Sequence, residues 1–484
     1  MKRINRAPQA VNDVHSALNG TCVARIIRPW NETEVIRTVK IAAARGEKIA
    51  VCGGRHAMGG QQFLTNGVLL DLRSLNAIRR LDLDTGMVDT EAGITWPILM
   101  RELDAIQSES ENPWVIRQKQ TGADELTLGG ALAANIHGRG LTMQPFVDDI
   151  VSFRICTADG SVKTCSRELN SGLFRLAIGG YGIFGIVLSV KVRLMRRQIL
   201  KRVVEVTDRT DLLGKFEQAI AAGAQYGDFQ FCCDERSSDL LRRGVFSYYV
   251  PTSESVPNGQ EFLTAERWRQ LIHLAHVDKS KAFEVYADHY TKSSGQLYES
   301  DRMQLAPYLD GYHAEIDRRL EARCRGSEMI TEISVPRRHL EGFLQAAAEY
   351  IQRVGAHLIY GTVRLIERDP ETFLAWAKEQ LACVIFNLHV DHEPEAIARS
   401  GEHFRGLIDI GLRFGGTFYL TYHRFASREQ LLRAYPQFPY FLAAKTQYDP
   451  DELFQSDWYE FYRRLFSEEI QLATGEQPIF KQRL

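Results

Sequence analysis

Residues 51–62 read Val51-Cys-Gly-Gly-Arg-His-Ala-Met-Gly-Gly-Gln-Gln62, with four glycines and one histidine directly after the strand-like segment Lys48–Val51. Glycine lets backbone N–H groups converge on an anion because no Cβ stands in the way. The imidazole of His56 lies in the same loop and can reach a group attached to that anion. The loop therefore predicts a phosphate-binding site, and a simple tight turn after a strand is the alternative.

A second glycine-rich segment reads Thr121-Gly-Ala-Asp-Glu-Leu-Thr-Leu-Gly-Gly-Ala-Leu-Ala-Ala-Asn-Ile-His-Gly-Arg-Gly140. It predicts a turn that opens an alanine-rich helix, with Gly129 and Gly130 at the helix start. A diphosphate can approach closely there, and the helix dipole favours its negative charge. Gly138 is well placed to end the helix. An ordinary buried Ala/Gly helix is the alternative.

A third segment, Gly180-Tyr-Gly-Ile-Phe-Gly185, matches the letters of the dinucleotide fingerprint G-x-G-x-x-G. That fingerprint requires a helix immediately after the glycines. Here Ile186–Leu194 follows, and its β-branched alternation predicts a strand. The sequence therefore argues against a nicotinamide-binding Rossmann site.

In order and spacing, the three segments resemble the FAD-linked oxidases of the vanillyl-alcohol oxidase / p-cresol methylhydroxylase superfamily, whose phosphate loop reads roughly Gly-Gly-x-His-Ser-x-Gly-Gly. The nearest motifs are those of the alditol oxidase and decaprenylphosphoryl-ribose oxidase branches. In members with this histidine it usually carries a covalent bond to the 8-methyl carbon of the flavin, so the resemblance implies FAD attached through His56. Relatives with Ser or Thr there bind FAD without the bond. The residues implied to contact FAD are His56, Gly53, Gly54, Arg55, Ala57, Met58, Gly59, Gly60, Gln61, Gly122, Thr127, Gly129, Gly130, Asn135, Gly138, Gly182, Gly185 and Val187.

Two departures from the family pattern affect this site. Ala57 stands where Ser is commoner, which removes a side-chain donor near the phosphates but leaves the backbone cradle. Some relatives attach FAD twice, through a cysteine just before the second segment, but this chain has no cysteine between Trp114 and Gly130. The eight cysteines are scattered and lack zinc-like spacing, so the sequence predicts reduced thiols and no metal site.

The predicted fold class is α+β, with a two-lobed FAD-binding domain at 1–196, a substrate domain at 197–425 whose antiparallel sheet is covered by helices, and a segment at 426–484 that returns to the FAD domain. Lys445-x-x-x-Asp449-Pro450 resembles a closing motif of the family. In the substrate domain we predict strands at Glu328–Val335, His357–Ile366 and Cys383–His389, and helices at Glu261–His276, Tyr308–Arg325, 337–353 and 370–380.

Catalysis beside a flavin needs a base for the substrate hydroxyl and a positive group near the pyrimidine end of the ring. Arg364 and His389 lie on predicted strands where alditol oxidase-like relatives carry such groups, and Tyr422 and His423 occupy the place of a relative's His/Lys cluster. We predict that Arg364 stabilises the anionic flavin while His423 or Tyr422 deprotonates the hydroxyl. Polar side chains on a sheet surface are the alternative for each. His137 is implied to lie beside the flavin, and weaker pocket candidates are Arg139 and Glu332.

Composition restricts the class of partner. With 59 basic and 61 acidic residues, the formal net charge of −2 does not favour a nucleic acid. The first ten residues lack an apolar signal region and no run reaches membrane-spanning length, so we expect a cytoplasmic protein without a transmembrane segment. The sequence is silent on oligomeric state.

These features predict an FAD-dependent oxidoreductase that acts on the CH–OH group of a polyol, sugar or related small molecule, with O2 or another electron acceptor. Within the enzyme class, a lactone, hydroxy acid or amine substrate remains open. From another class, the alternative is a flavin-containing binding protein or partner without turnover.

Overall fold

The computed structural model describes residues 7–257, 259–260, 263–306 and 311–475. The amino-terminal part of the chain alternates strands and helices. Its strands are β1 (Gln9–Val11), β2 (Thr21–Val23), β3 (Arg25–Ile27), β4 (Ile49–Cys52), β5 (Val68–Asp71), β6 (Ile78–Asp82), β7 (Met87–Glu91), β8 (Trp114–Val115), β9 (Ile150–Cys156), β10 (Val162–Ser166), β11 (Ile186–Arg193) and β12 (Met195–Arg196). Its helices are α1 (Glu32–Arg45), α2 (Trp96–Ile106), α3 (Leu128–Ala134) and α4 (Ser171–Ala177).

Helix α1 shows how local sequence sets the bounds of an element. The side chain of Asn31 accepts a hydrogen bond from the backbone N–H of Glu34 at 2.9 Å, which is an N-cap. Gly46 ends the helix with φ +64°, a left-handed conformation that glycine adopts without strain. Val35 and Val39 are buried against the sheet that contains β4 and β5. The helix thereby supports the strand that leads into the loop at 53–62.

Two sheets bring the glycine-rich segments together. A parallel sheet has the order β3-β5-β4, and an antiparallel sheet has the order β10-β9-β11-β7-β6. The start of α3 is fixed to the second sheet, because the backbone N–H groups of Leu128 and Gly129 donate to the carbonyls of Ile94 and Ala92. A strand, β11, follows Gly185, as predicted.

The rest of the chain is organised around one large sheet. All its pairings are antiparallel and its order is β16-β13-β15-β14-β18-β19-β17-β20. The strands are β13 (Ile199–Asp208), β14 (Tyr226–Phe231), β15 (Arg243–Thr252), β16 (Leu297–Glu299), β17 (Gly326–Pro336), β18 (Leu358–Ile366), β19 (Leu381–Asp391) and β20 (Thr417–Phe418). The helices are α5 (Arg209–Ala221), α6 (Ala265–Val277), α7 (Lys279–Lys292), α8 (Tyr312–Arg319), α9 (Leu340–Val354), α10 (Pro394–Arg413), α11 (Arg428–Ala434), α12 (Phe438–Tyr448), α13 (Asp457–Leu465) and α14 (Ser467–Gly475).

Helices cover the large sheet, which confirms the predicted fold class. Helices α5, α9 and α10 pack on one face. On the other face, α6 and α7 border a cavity that the amino-terminal sheets close from the opposite side. The sheet thus forms a roof over the glycine-rich loops.

The carboxy-terminal segment runs back to β4. Ile49 donates its backbone N–H to the carbonyl of Leu453 and accepts from the N–H of Gln455, both at 2.8 Å. The turn before this contact is held by a fully buried ion pair between Lys445 and Asp449. The Lys-x-x-x-Asp-Pro motif therefore closes the chain onto the strand that leads into the 53–62 loop. The boundaries at 196 and 425 stay predictions.

Two helix predictions were wrong. The segment 370–380 forms turns, because the Asp369 carboxylate accepts hydrogen bonds from the backbone N–H groups of Glu371 and Thr372 and so competes with helical bonding. The alanine-rich helix α3 ends at Asn135, which has φ +47°, rather than at Gly138. Asparagine tolerates this conformation better than most non-glycine residues.

Some helices were not predicted, and others were predicted with different bounds. The sequence did not predict α5, α7 or α10. Of the predicted helices at 261–276 and 308–325, residues 261–262 and 308–310 lie outside the described residues, and the described parts form α6 and the shorter α8.

Candidate active site

A cavity of about 1000 Å³ lies between the glycine-rich loops and the large sheet. Three groups of residues line it. The loops contribute 51–58 and most of 120–130, the sheet contributes residues of β17, β18 and β19, and α6 and α7 contribute an apolar side. A volume of this size falls at the upper end of the range for cofactor and ligand sites.

Gly53 and Gly54 of the loop wall are packed too closely against their neighbours to carry a Cβ. A Cβ at Gly53 would overlap the side chain of Thr127, and one at Gly54 would overlap the carbonyl oxygen of Glu125. Within the described residues, no acceptor is bonded to the backbone N–H groups of residues 54–57. The wall therefore presents backbone N–H groups that are free to donate to a ligand, and their close packing is possible only with glycine. A phosphate needs donors of this kind.

His56 is oriented by a second histidine. Its Nδ1 lies 2.9 Å from Nε2 of His15, whereas its own Nε2 is buried with no hydrogen-bond partner among the described residues. Burial, assisted by His15 and only partly opposed by the backbone of Glu125, lowers the pKa of His56 to about 3. The ring is therefore neutral at ordinary pH and has a nitrogen available at the cavity.

Opposite the loops, a buried acid–histidine pair faces the cavity. Glu332 of β17 lies with Oε1 2.9 Å from Nε2 of His137, and both side chains are almost fully buried. The hydroxyl of Tyr422 is 3.5 Å from Oε2 of Glu332. Burial, and next the Glu332 charge, raise the pKa of Tyr422 well above its ordinary value. Tyr422 can therefore donate a hydrogen bond but cannot act as a base near neutral pH.

Arg364 supplies the positive charge of this wall. It lies on β18, paired in register with Cys383 of β19, which in turn pairs with Ser334 of β17. Arg364 is only 6 % exposed, and its Nε is buried without a partner. Within the described part of the chain it makes no hydrogen bond or ion pair. A buried cation needs a compensating anion or acceptor, so the site is complete only when a ligand supplies one.

Most of the predicted site residues come together at this cavity. Those that line it are Gly53, Gly54, Arg55, His56, Ala57, Met58, Gln61, Gly122, Thr127, Gly129, Gly130, Gly182, Gly185, Val187, His137, Arg364 and Tyr422, together with Arg139 and Glu332.

Six predicted residues do not line the cavity. Gly59 and Gly60 lie behind the loop, where Gly59 donates its N–H to Gln61. Asn135 bonds to Asp369 instead, and Gly138 packs on the backbone of Lys119. His389 and His423 are placed elsewhere for different reasons.

The two displaced histidines both belong to predicted catalytic positions. His389 lies at the far end of β19 and faces Glu328 and Asp391. The ring of His423 stacks on Phe425, 5.5 Å between centroids, because neighbouring Tyr422 takes the side that faces Glu332. Neither histidine is in place to deprotonate a substrate in this cavity.

Sequence reasoning missed His15 and the apolar side of the cavity. His15 is 41 residues from its partner His56, and no local pattern links them. The apolar side contains Trp268, Leu271 and Ile272 of α6 and Phe283 and Tyr286 of α7. Their helical spacing was visible in the sequence, but it indicates any helix with one buried face.

Comparisons with known proteins agree with this geometry. A family model described as an FAD binding domain matches residues 23–166, and one described as D-arabinono-1,4-lactone oxidase matches residues 278–462. An L-gulono-1,4-lactone dehydrogenase of Mycobacterium tuberculosis is 24% identical over 444 residues, covering 90% of this chain and 94% of that protein.

Two further relatives match mainly one part of the chain. The L-gulonolactone oxidase of Bos taurus is 24% identical over 36% of this chain and 38% of its own. Cytokinin dehydrogenase 4 of Oryza sativa is 29% identical over 35% of this chain and 33% of its own.

The glycine cradle, the open Nε2 of His56 and the unpaired Arg364 fit FAD, and together with the fold they define an FAD-dependent oxidoreductase. The chain belongs to the vanillyl-alcohol oxidase / p-cresol methylhydroxylase superfamily, which has the PCMH-type FAD-binding domain. Across the described residues, the helices are too short or too polar to traverse a lipid bilayer.

Proposed function

We propose that this chain oxidises a hydroxyl-bearing carbon of a sugar-derived lactone. The observation that carries the proposal is Arg364, a buried and unpaired cation, beside the buried pair of Glu332 and His137 on the wall that faces the FAD loops. When bound, FAD accepts a hydride from the substrate carbon. The side chains of this chain must then bind the substrate and take the hydroxyl proton.

Glu332 is the proposed proton acceptor. Its Oε1 is engaged by His137, whereas among the described residues Oε2 has only the long contact with Tyr422. Oε2 is therefore the atom that takes the proton, and Tyr422 and His137 hold the carboxylate in place. Arg364 provides N–H donors to oxygen atoms that carry negative charge, either on the substrate or at the pyrimidine end of the flavin.

The lactone is preferred to the polyol or sugar expected from the sequence. The relative that aligns over most of the chain is a lactone dehydrogenase by name, and the lactone oxidase model spans the region that contains Glu332, Arg364 and Tyr422. These relatives support a lactone and do not support a polyol. Among the relatives are both oxidases and dehydrogenases, so O2 and another electron acceptor are both candidates.

The apolar side of the cavity indicates a substrate larger than the lactone ring alone. Trp268, Ile272 and Phe283 line space beyond the Glu332 wall, and a bare aldonolactone, rich in hydroxyl and ester oxygens, carries no extended apolar group to fill it. Each buried CH2 contributes about 0.8 kcal/mol. We infer a substrate in which the oxidised ring carries an apolar substituent that lies against α6 and α7.

Covalent attachment of FAD through His56 is also part of the proposal. The bond requires a neutral imidazole nitrogen at the cavity, and burial keeps the ring neutral while His15 engages the other nitrogen. Nε2 is thus the proposed attachment atom. The cytoplasmic location expected from the sequence stays a prediction.

The reaction is tested by mixing the purified holoprotein, without oxygen, with L-gulono-1,4-lactone, D-arabinono-1,4-lactone or an open-chain polyol while recording flavin absorbance. We expect a lactone to bleach the flavin faster than the polyol does. If dithionite bleaches it but no lactone or polyol does, the proposal is wrong and a non-catalytic flavoprotein is favoured. Repeating the reaction with oxygen and peroxide detection, or with a dye, identifies the acceptor.

The apolar substituent is tested with a lactone that carries an alkyl ester on its terminal hydroxyl. We expect a lower KM for the ester than for the free lactone. Ile272→Ala should raise the KM for the ester roughly tenfold and leave the KM for the free lactone nearly unchanged. Val277→Ala is the matched control, because Val277 lies on the same helix, is 47% exposed and does not line the cavity. Equal KM values for ester and free lactone would contradict the inference.

Covalent attachment is tested by acid precipitation. Yellow colour should stay in the pellet of the wild-type protein and move to the supernatant in His56→Ala. Flavin released from the wild-type protein would show that His56 is a residue of the phosphate loop and forms no covalent bond. The proposed reaction would be unaffected by that result.

A further inference from the structure

A second polar cluster lies at the edge of the cavity, where α6 meets the large sheet. His276 of α6, Glu328 of β17 and His389 of β19 bring one ligand atom each to within 4.8 Å of one another. Glu328 and His389 are direct partners in the register of β17 and β19. The three side chains are 1%, 6% and 15% exposed, so an ion between them would be shielded from solvent.

Each histidine is oriented as a metal ligand would be. Nδ1 of His276 lies 2.8 Å from the carbonyl oxygen of Ile272, which can only accept a hydrogen bond. The proton of a neutral ring is therefore on Nδ1, and the lone pair is on Nε2. On His389, Nε2 faces the carboxylate of Asp391 at 3.6 Å, while Nδ1 is buried without a hydrogen-bond partner among the described residues. Partners of this kind are typical for metal-bound histidine.

With each neutral ring carrying its proton on the outer nitrogen, the inner ring nitrogens and the carboxylate of Glu328 are all hydrogen-bond acceptors that face one another. The lone pair of His276 Nε2 points at Oε1 of Glu328, 3.2 Å away, and Nδ1 of His389 lies 3.9 Å from the same oxygen. The other carboxylate oxygen is already held by Tyr312 and by Nδ1 of His313. A cation between the three atoms would be bound by all of them at once, whereas without it a protonated His276 or His389 would donate to Glu328 instead.

We propose that His276, Glu328 and His389 bind one divalent transition-metal ion of the zinc class. Two imidazoles and a carboxylate are zinc ligands at about 2.0–2.2 Å, which places neighbouring ligand atoms about 3.3 Å apart, near the present 3.2 Å separation. Three protein ligands leave one position for water. The ion ties α6, and hence Leu271 and Ile272 of the cavity side, to the two strands that form the catalytic roof.

The test is metal content and coordination in the untagged, full-length holoprotein, stripped with a chelator and dialysed against zinc. We expect one zinc per chain, with an X-ray absorption spectrum of nitrogen and oxygen ligands that includes two imidazoles. His276→Ala and His389→Ala should each weaken zinc binding by more than about tenfold. His403→Ala on α10, away from the cluster, is the matched control and should keep the metal. Flavin content and circular dichroism report whether each variant is folded.

Wild-type protein that takes up no stoichiometric zinc overturns the proposal. Zinc retained in both His276→Ala and His389→Ala also overturns it, and would point to His137, Glu332 and Cys383, whose ligand atoms also lie within 4.8 Å of one another. Should His276→Ala fail to fold, His276→Gln and the wild-type absorption spectrum decide. A spectrum with a sulfur ligand is inconsistent with this site.

Discussion

One wall of the cavity is formed mainly by main chain and the other mainly by side chains. The FAD-facing wall at residues 51–58 and 120–130 is formed by glycine backbones that touch other backbones, as at Gly54 and Glu125. The facing wall is formed by long side chains on strands, above all Glu332 and Arg364. A backbone wall can hold a large, invariant cofactor, whereas a side-chain wall can be altered one residue at a time.

The difference separates binding from chemistry. At Gly54 of the backbone wall a single extra methyl group must displace main chain, so we expect a substitution there to change whether FAD binds. On the side-chain wall a substitution can preserve volume and remove only a charge or a proton acceptor. Variants of the two walls should therefore affect different measurements.

The largest effect is expected for Glu332→Gln. The amide fills the same volume and can still bond His137, but it cannot take a proton, so the rate of flavin reduction by substrate should fall by about 10²–10⁴-fold. Stopped-flow absorbance measures this rate. Glu341→Gln on the exposed face of α9 is the control. A reduction rate within a few-fold of the wild type would remove Glu332 from the mechanism.

Arg364→Ala is expected to slow flavin reduction by about 10²–10³-fold, because a preorganised charge is lost from a buried site. Arg364→Lys should recover part of the rate, since it keeps the charge but not the planar donor set. Arg338→Ala, at an arginine that is 64% exposed, is the control. Reduction that is unchanged in Arg364→Ala would contradict the assignment.

Gly54→Ala tests the backbone wall. A methyl group here must displace the main chain at Glu125, and overpacking of this kind costs about 1–3 kcal/mol. We expect a lower FAD content per chain, measured from the absorbance ratio of flavin to protein. Gly214→Ala on α5 is the matched control, because a Cβ there meets no atom within 4 Å. Full FAD content in Gly54→Ala would show that the loop does not need glycine.

The smallest effect concerns pH. An ordinary histidine with pKa 6.5 becomes protonated as the pH falls below that value, but the pKa of His56 is lowered to about 3. His56 therefore stays neutral, and covalent incorporation of FAD into flavin-free protein should vary little between about pH 5 and 8. The measurement is acid-stable flavin against time. A rate that falls tenfold per unit below pH 6.5 would indicate an ordinary His56.

The same contrast explains what the sequence could predict. Gly53, Gly54 and His56 lie within one short loop after a strand, so their joint role is visible without any knowledge of the fold. The strand-like runs Val68–Asp71 and Met87–Glu91 are recognisable from local sequence in the same way, and they form β5 and β7. The side-chain wall depends on register instead. Glu332 and Arg364 share one wall only because β19 pairs with both β17 and β18, and no local pattern encodes that pairing.

The misplaced histidines show the limits of motif position. His389 was predicted on a strand and lies on one, but it is at the end where α6 covers the sheet. His423 was predicted in the correct segment, yet one residue of register decides that Tyr422 and not His423 faces Glu332. Glu332 was predicted only as a weaker pocket candidate. Its importance arises from burial beside His137, and the sequence alone does not show that contact.

The division of labour between the walls is tested most directly by measuring flavin content and anaerobic flavin reduction on the same samples of Glu332→Gln and Gly54→Ala. We expect Glu332→Gln to keep wild-type flavin content and lose rapid reduction. We expect Gly54→Ala to lose flavin, while the fraction that retains it is reduced at a rate near that of the wild type. Loss of flavin from Glu332→Gln, or rapid reduction in its fully loaded form, would contradict the account.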